Sequence, residues 1–302
     1  MARTKKSQNA KLQALLDSCD TGDVMAAQPD LRHMKLQGFS GGGKSHFGLT
    51  FVSHRAKEMG LLDKPEQVLV SILDCDLEGV RALIKRDDII PPEIKSRIYR
   101  KVCETPEMVN HMTDAFIQQH KAHQAEFPDG LRVIILENEA AFYVGCRDFY
   151  SLEVHGVSEA DLMLARQAQA ISEGKKTLPA FAEGQMHSYK VINKLFYTPY
   201  QKLKMAAEAL NCHFISTVLL REYTEGYGTA NEKKVVTAAG RADMTDPLFD
   251  WIIEFGRQQR VNKKTGNMET RHIATIRKSR DCKPFQIHNW TQEKFWKAVT
   301  DN

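Results

Sequence analysis

Apolar positions along the chain follow two rhythms. QVLVSILDCD (67–76), LRVIILENEAAF (131–142) and NCHFISTVLLREYT (211–224) each contain an uninterrupted apolar, β-branched run, the pattern of strands covered on both faces. An alternating segment, LRHMKLQ (31–37), precedes them and runs into a glycine cluster. The stretch after it, HFGLTFVSHRAKEMG, spaces Phe47, Leu49, Phe51 and Val52 as a helix that Gly60 stops. Residues 77–127 read as mostly helical with a break at Pro91-Pro92. Residues 147–210 read as a long polar and helical region whose last part, YQKLKMAAEALN, is amphipathic. FDWIIEFGRQQR (249–260) and RHIATIRKSRD (271–281) flank the turn NKKTGN as a hairpin, and WTQEKFWKAVTDN closes with a short helix opened by Thr291. Strands alternating with helices predict an α/β fold with a mostly parallel central sheet, and the late hairpin adds antiparallel strands at its edge.

The pattern divides the chain into an N-terminal arm (1–30), a core (31–285) with a helical insert at about 147–210, and a C-terminal helix (286–302). With 302 residues the chain is long enough for one large core. Hydrophobic residues make up 42% and charged residues 26%, values of an ordinary globular protein. No window reaches the roughly 18 apolar residues of a membrane span, and the basic start MARTKKSQNAKLQ has no apolar run of a secretory signal. Six cysteines stand singly, with no C-x-x-C pair, which points away from zinc or a disulfide framework and toward free thiols in the cytoplasm. The histidines show no metal-ligand spacing with them. A net charge of +4 is compatible with nucleic acid only if the basic residues cluster.

Chemistry concentrates at LQGFSGGGKSHFGLTF. Gly38, Phe39, Ser40, Gly41, Gly42, Gly43, Lys44 and Ser45 satisfy G-x-x-x-x-G-K-[ST] between a predicted strand and a predicted helix. Such a loop turns successive N–H groups, with His46 beside them, toward phosphate oxygens. Lys44 would reach the β- and γ-phosphates of ATP, and the Ser45 hydroxyl would ligate Mg²⁺. Glu137, directly after the apolar run of VIILENE, is the candidate for the metal shell, ahead of Glu139; a strand-end glutamate in solvent is the bland alternative. Asp74, Asp76 and Glu78 end the preceding strand, and one of them would orient the attacking water, Asp76 before Glu78.

These residues resemble the RecA-like ATPases. In that family a strand ending in a catalytic acid and then a strand of three apolar residues, acid and serine follow the phosphate loop. ILDCD and VIILENE correspond, with Asp76 for glutamate, Glu137 for aspartate and Asn138 for serine. The resemblance implies a three-layer RecA-like fold, ATP hydrolysis with Mg²⁺, and a polar sensor on the third strand, Thr217 ahead of Ser216 and Arg221. It also implies a homo-oligomer, a hexameric ring or filament, in which Lys278 and Arg280 of TIRKSRD reach a neighbour's nucleotide. An ordinary basic edge strand explains the same two residues. The layout looks most like compact RecA-like ATPases of phages and archaeal viruses, which would place it in a host cytoplasm, acting on DNA in recombination, single-strand annealing or replication. Tyr223, Tyr227, Lys233 and Lys234 in EYTEGYGTANEKKVV would meet single-stranded DNA, or belong to a solvated loop. Arg3, Lys5 and Lys6 suit DNA or a protein partner. A nucleotide-dependent assembly scaffold with slow hydrolysis and no DNA role is the alternative; a small-molecule kinase leaves the third strand and the KSR segment unexplained.

Overall fold

The computed structural model describes residues 33–76, 79–175, 185–225, 233–238, 242–261, 268–279 and 282–301. The expected arm at 1–30 therefore lies outside the described residues, as do Glu78, Tyr227 and Arg280. The strands are β1 (His33–Gly38), β2 (Val68–Asp74), β3 (Ile98–Val102), β4 (Leu131–Glu137), β5 (His213–Glu225), β6 (Lys233–Ala238), β7 (Trp251–Val261), β8 (Met268–Lys278) and β9 (Gln286–His288). The helices are α1 (Lys44–Glu58), α2 (Gly79–Ile84), α3 (Pro92–Lys95), α4 (Pro106–Glu126), α5 (Glu139–His155), α6 (Glu159–Ser172), α7 (Gln185–Ala209), α8 (Ala242–Thr245) and α9 (Gln292–Thr300).

One sheet runs in the order β3-β2-β4-β5-β1-β7-β8-β9. All pairs from β3 to β7 are parallel, while β8 and β9 continue the edge antiparallel and β6 pairs antiparallel with β5. The α/β class with a mostly parallel sheet and antiparallel edge strands is thus the one the sequence predicts. Alternation along the strands feeds two separate cores. Val68, Val70, Ile72, Val133, Ile135 and Ile215 pack with Phe47 and Phe51 of α1 and with Phe295 of α9. Leu73, Ile134, Leu136 and Phe214 pack with Phe116 of α4, Phe142 of α5 and Phe196 of α7. Every residue of β2 and of β4 is buried, because helices cover both faces of these strands.

Three local expectations change. The segment read as helical over 77–127 contains β3, whose residues are only half-buried or exposed; an edge strand carries no apolar run to announce it. The tract 222–236 is not a plain loop, since β5 continues to Glu225 and β6 returns beside it with Tyr223 opposite Val235 and Thr224 opposite Lys234. The helices before β5 begin at Glu139, ahead of the expected 147, where Asn138 caps α5 by accepting the Ala141 N–H at 2.8 Å.

β1 alternates in sequence yet is buried almost throughout, and Lys35 has no exposed surface. Its ammonium donates to Thr245 Oγ1 and Asp246 Oδ1, both at 2.6 Å, and lies 3.4 Å from Glu139 Oε2. Thr245 also donates to Glu139 Oε1 at 2.6 Å. This network ties the strand that leads into the glycine loop to the start of α5 and to the turn before β7. A buried lysine persists only when its charge is met in this way.

Candidate nucleotide site

β1 ends at Gly38, and the glycine loop that follows delivers the chain into α1. Gly38 has no room for a side chain: a Cβ there would sit 2.4 Å from the carbonyl oxygen of Phe255 on β7. Gly43, with φ 105°, turns the chain into the helix through a left-handed conformation. The helix starts with the Phe47 N–H donating to the Gly43 carbonyl at 2.8 Å.

Lys44 is buried at the helix entrance. Its ammonium donates to the carbonyls of Gly38 (2.9 Å) and Phe39 (3.0 Å), so it folds back across the loop. Burial lowers its pKa, and the nearby carboxylates of Glu137 and Asp76 pull it back up. The Ser45 hydroxyl donates to Glu137 Oε1 at 2.7 Å. Burial pushes the Glu137 carboxyl up to about 7, against the opposing influence of Ser45, Thr217 and the Lys44 charge. Its other oxygen, Oε2, is buried without a hydrogen-bond partner, and so is Thr217 Oγ1. The Thr217 hydroxyl thus influences the carboxyl electrostatically without a well-formed hydrogen bond.

Strand order explains this meeting. β5 lies between β1 and β4, with Thr217 opposite Leu36, so a β5 hydroxyl stands between the loop and Glu137. β2 pairs with β4 so that Asp74 is opposite Glu137. Asp74 is fully buried and accepts from Arg100 Nε at 2.5 Å, which assigns it to holding β3. Asp76, two residues on, is exposed and accepts from Asn138 Nδ2 at 2.7 Å, while its N–H donates to Asp74 Oδ1. Asn138 therefore joins the ends of β2 and β4 as well as capping α5. Glu139 belongs to the buried Lys35 network on the other face of the sheet.

Lys278 is not brought to this loop. It pairs with Ile252, which lies beside Lys35, three residues before Gly38 and so ~10 Å back along β1. Its ammonium donates to its own chain's carbonyls, Phe249 at 2.7 Å and Asp246 at 3.3 Å.

A cleft of about 670 Å³ opens over Gly41, Gly43, Lys44, Ser45 and His46. Glu137 and Asp76 do not line it; Glu137 is reached through the Ser45 hydroxyl. Leu83 and Arg86 border the cleft, as do Arg257 of β7, His272 of β8 and the Asn289-Trp290 strap after β9. Trp290 covers the loop, since a Cβ on Gly43 would lie 3.2 Å from its ring, and its ring centroid is 5.7 Å from that of His46. The strap is anchored by Gln292, whose Nε2 donates to Phe47 O and Thr50 Oγ1 of α1. Sequence reading missed Arg257 and His272, which reach the loop through strand register, Trp290, through the connection after the last strand, and Arg86, just after α2.

Magnesium suits these residues. A buried carboxylate oxygen without a partner, beside a serine hydroxyl, is a cation-seeking pair. Mg²⁺ takes only one or two protein carboxylates and fills its shell with phosphate oxygens and water, so it needs no larger ligand group. Among the described residues no cluster of three His, Cys, Asp or Glu side chains could hold a metal, and no helix is long and apolar enough to cross a membrane.

No protein-family model and no curated protein matches the chain. Among solved structures it is similar to a KaiC-like protein of the hyperthermophilic archaeon Pyrococcus horikoshii OT3. The two are 14% identical over 85% of this chain and 84% of that one, with a TM-score of 0.43.

Proposed function

We propose that the chain binds and hydrolyses ATP as a RecA-like ATPase, assembles with copies of itself as a ring or filament, and acts on DNA. The 2.7 Å contact between the Ser45 hydroxyl and Glu137, with the Lys44 ammonium beside them, carries the nucleotide part of this reading. A phosphate loop and a strand-end carboxylate that meet in this way form a metal–triphosphate site. Glu137 and Ser45 would hold Mg²⁺, which when bound offsets phosphate charge. Lys44 exchanges its carbonyl partners for the β- and γ-phosphates. Asp76, exposed at the end of β2 and held by Asn138, orients water and takes its proton; Glu78 is the other candidate for that role. The water oxygen bonds to the γ-phosphorus as the bond to the β–γ bridging oxygen breaks, and ADP leaves with the electron pair. Thr217 senses the carboxyl beside it.

Assembly and DNA rest on the resemblance of the acidic strand ends and the KSR segment. ATP turnover measured across protein concentration, with and without single-stranded DNA, tests them. Turnover that rises with both is the expected result. Turnover indifferent to both would remove assembly and DNA while keeping the nucleotide chemistry. No turnover, with a nucleotide-dependent change in size by gel filtration, would support the assembly-scaffold alternative.

Trp290 provides a direct reporter. A nucleotide in the cleft lies beside its ring, so ATP should change tryptophan emission in the parent protein. Trp290→Phe should lose most of that change while Trp251 and Trp296 still emit. An unaltered ATP response in Trp290→Phe would remove the strap from the site.

A further inference from the structure

We propose that Arg257 is the arginine of its own subunit's phosphate site, binding the terminal phosphates and neutralising the charge that develops as the γ-phosphate is transferred. This rests on the nucleotide reading above and adds a residue and a direction to it: the cation comes from the same chain, not from a neighbour.

The placement follows from register. Phe255 of β7 pairs with Gly38, the last residue of β1, so Arg257 continues β7 just past the point where the phosphate loop begins. Residues 255 and 257 share a face of the strand. Phe255 uses that face to pack against Phe47 of α1, ring centroids 5.1 Å apart, which puts Arg257 over the loop side of the sheet. Its guanidinium lies against Gly41: a Cβ there would be 3.1 Å from Nη2 and 3.4 Å from Nη1. Any residue but glycine at 41 would press on that group.

Arg257 lines the same cleft as Lys44 and Ser45, and among the described residues it has neither a hydrogen-bond nor an ion-pair partner. By contrast Arg277 of β8 is held by Glu254 at 2.8 Å, and Arg86, the other arginine that lines the cleft, is held by Asp88. Its neighbour across the ladder is His272, and His46 and Arg86 border the same space. No carboxylate is among the residues that line the cleft; Asp88 offsets the charge of Arg86, which leaves Lys44 and Arg257 as the cations that face the loop. A planar guanidinium suits two phosphate oxygens at once, and an arginine at the γ-phosphate accelerates transfer by about 10³–10⁵-fold in enzymes that use one. Lys278, the cation expected from the sequence to serve a neighbour, is engaged by carbonyls of its own chain.

The experiment compares Arg257→Ala and Arg257→Lys with the parent, after thermal melts confirm that each folds. ATP affinity is read by calorimetry at a dilution where light scattering shows monomers, and turnover at assembly concentrations. In the Ala variant an affinity loss of about tenfold in the monomer, and a turnover loss of at least about a hundredfold, are expected, with Lys intermediate. Parent-like affinity and turnover in Arg257→Ala would overturn the assignment, as would a loss that appears only in assembled protein, because the arginine would then serve a neighbour. A parent protein that binds no ATP would fail the nucleotide reading itself. Parent binding with an unaffected Arg257→Ala variant fails only this inference.

Discussion

Lys44→Ala is expected to lower kcat/KM for ATP by about 10³-fold or more, roughly 4 kcal/mol of transition-state stabilisation, while the protein still folds. The ammonium is buried at the glycine loop, and burial strengthens its electrostatic effect. It is held by two loop carbonyls, Gly38 and Phe39, at ordinary hydrogen-bond distances. Those carbonyls cost it little to leave, since phosphate oxygens are stronger, charged acceptors at the same loop. Removing the ammonium lets water reach the same carbonyls, so the melting temperature should move by only a few degrees. Lys44→Arg tests shape against charge: it keeps the charge, but its planar fork does not fit where a compact ammonium sits between two carbonyls. Steady-state phosphate release and ATP calorimetry on both variants check the prediction. Parent-like binding and turnover in Lys44→Ala would remove the phosphate-loop reading altogether.

What the sequence made legible is what is local in the chain. The spacing from Gly38 to Ser45 is a contiguous device, and an acid placed directly after an apolar run marks a strand end. Glu137 could therefore be picked without knowing the sheet, and Asp76 belongs to the acid cluster just past the end of β2; both carboxylates act on the Lys44 charge. Residues that depend on pairing were not legible. Arg257 sits in FDWIIEFGRQQR with nothing to distinguish it from Arg260 until β7 is set beside β1 with Phe255 at Gly38. Trp290 reads as part of the C-terminal helix segment, yet its ring lies on the loop because Gln292 pins the strap to α1. Lys35 alternates with apolar neighbours, as an exposed residue of a half-buried strand does, and is instead enclosed with Glu139 and Thr245. The pattern in TIRKSRD gave no position for Lys278: antiparallel pairing carries it toward the start of β1 and away from the loop in the same subunit.

Glu137→Gln should separate stability from activity in opposite directions. In the nucleotide-free protein held in chelator, burial raises the Glu137 carboxyl from its ordinary 4.5 to about 7. The folded state therefore binds a proton between those two values that the unfolded chain has released. Stability falls as pH rises through that window and stays lower above pH 7, by roughly 3 kcal/mol. Glutamine has no charge to bury and its side-chain oxygen can still accept from Ser45. At pH 8 the variant should accordingly melt about 5 °C above the parent, a shift of the size expected for such an energy in a chain of this length. At pH 4.5 the two should melt together, since the parent carboxyl is then protonated as well. Turnover should fall by about 10² to 10³-fold at every pH, because a neutral amide neither holds Mg²⁺ nor supplies the charge that balances Lys44. The buried, unpartnered Oε2 is the reason for both effects: the charge that costs the protein stability in chelator is the one a metal–nucleotide complex needs. Equal melting temperatures at pH 8 would mean that the carboxylate is already compensated in the empty protein. Undiminished turnover would mean that Glu137 does not serve the metal.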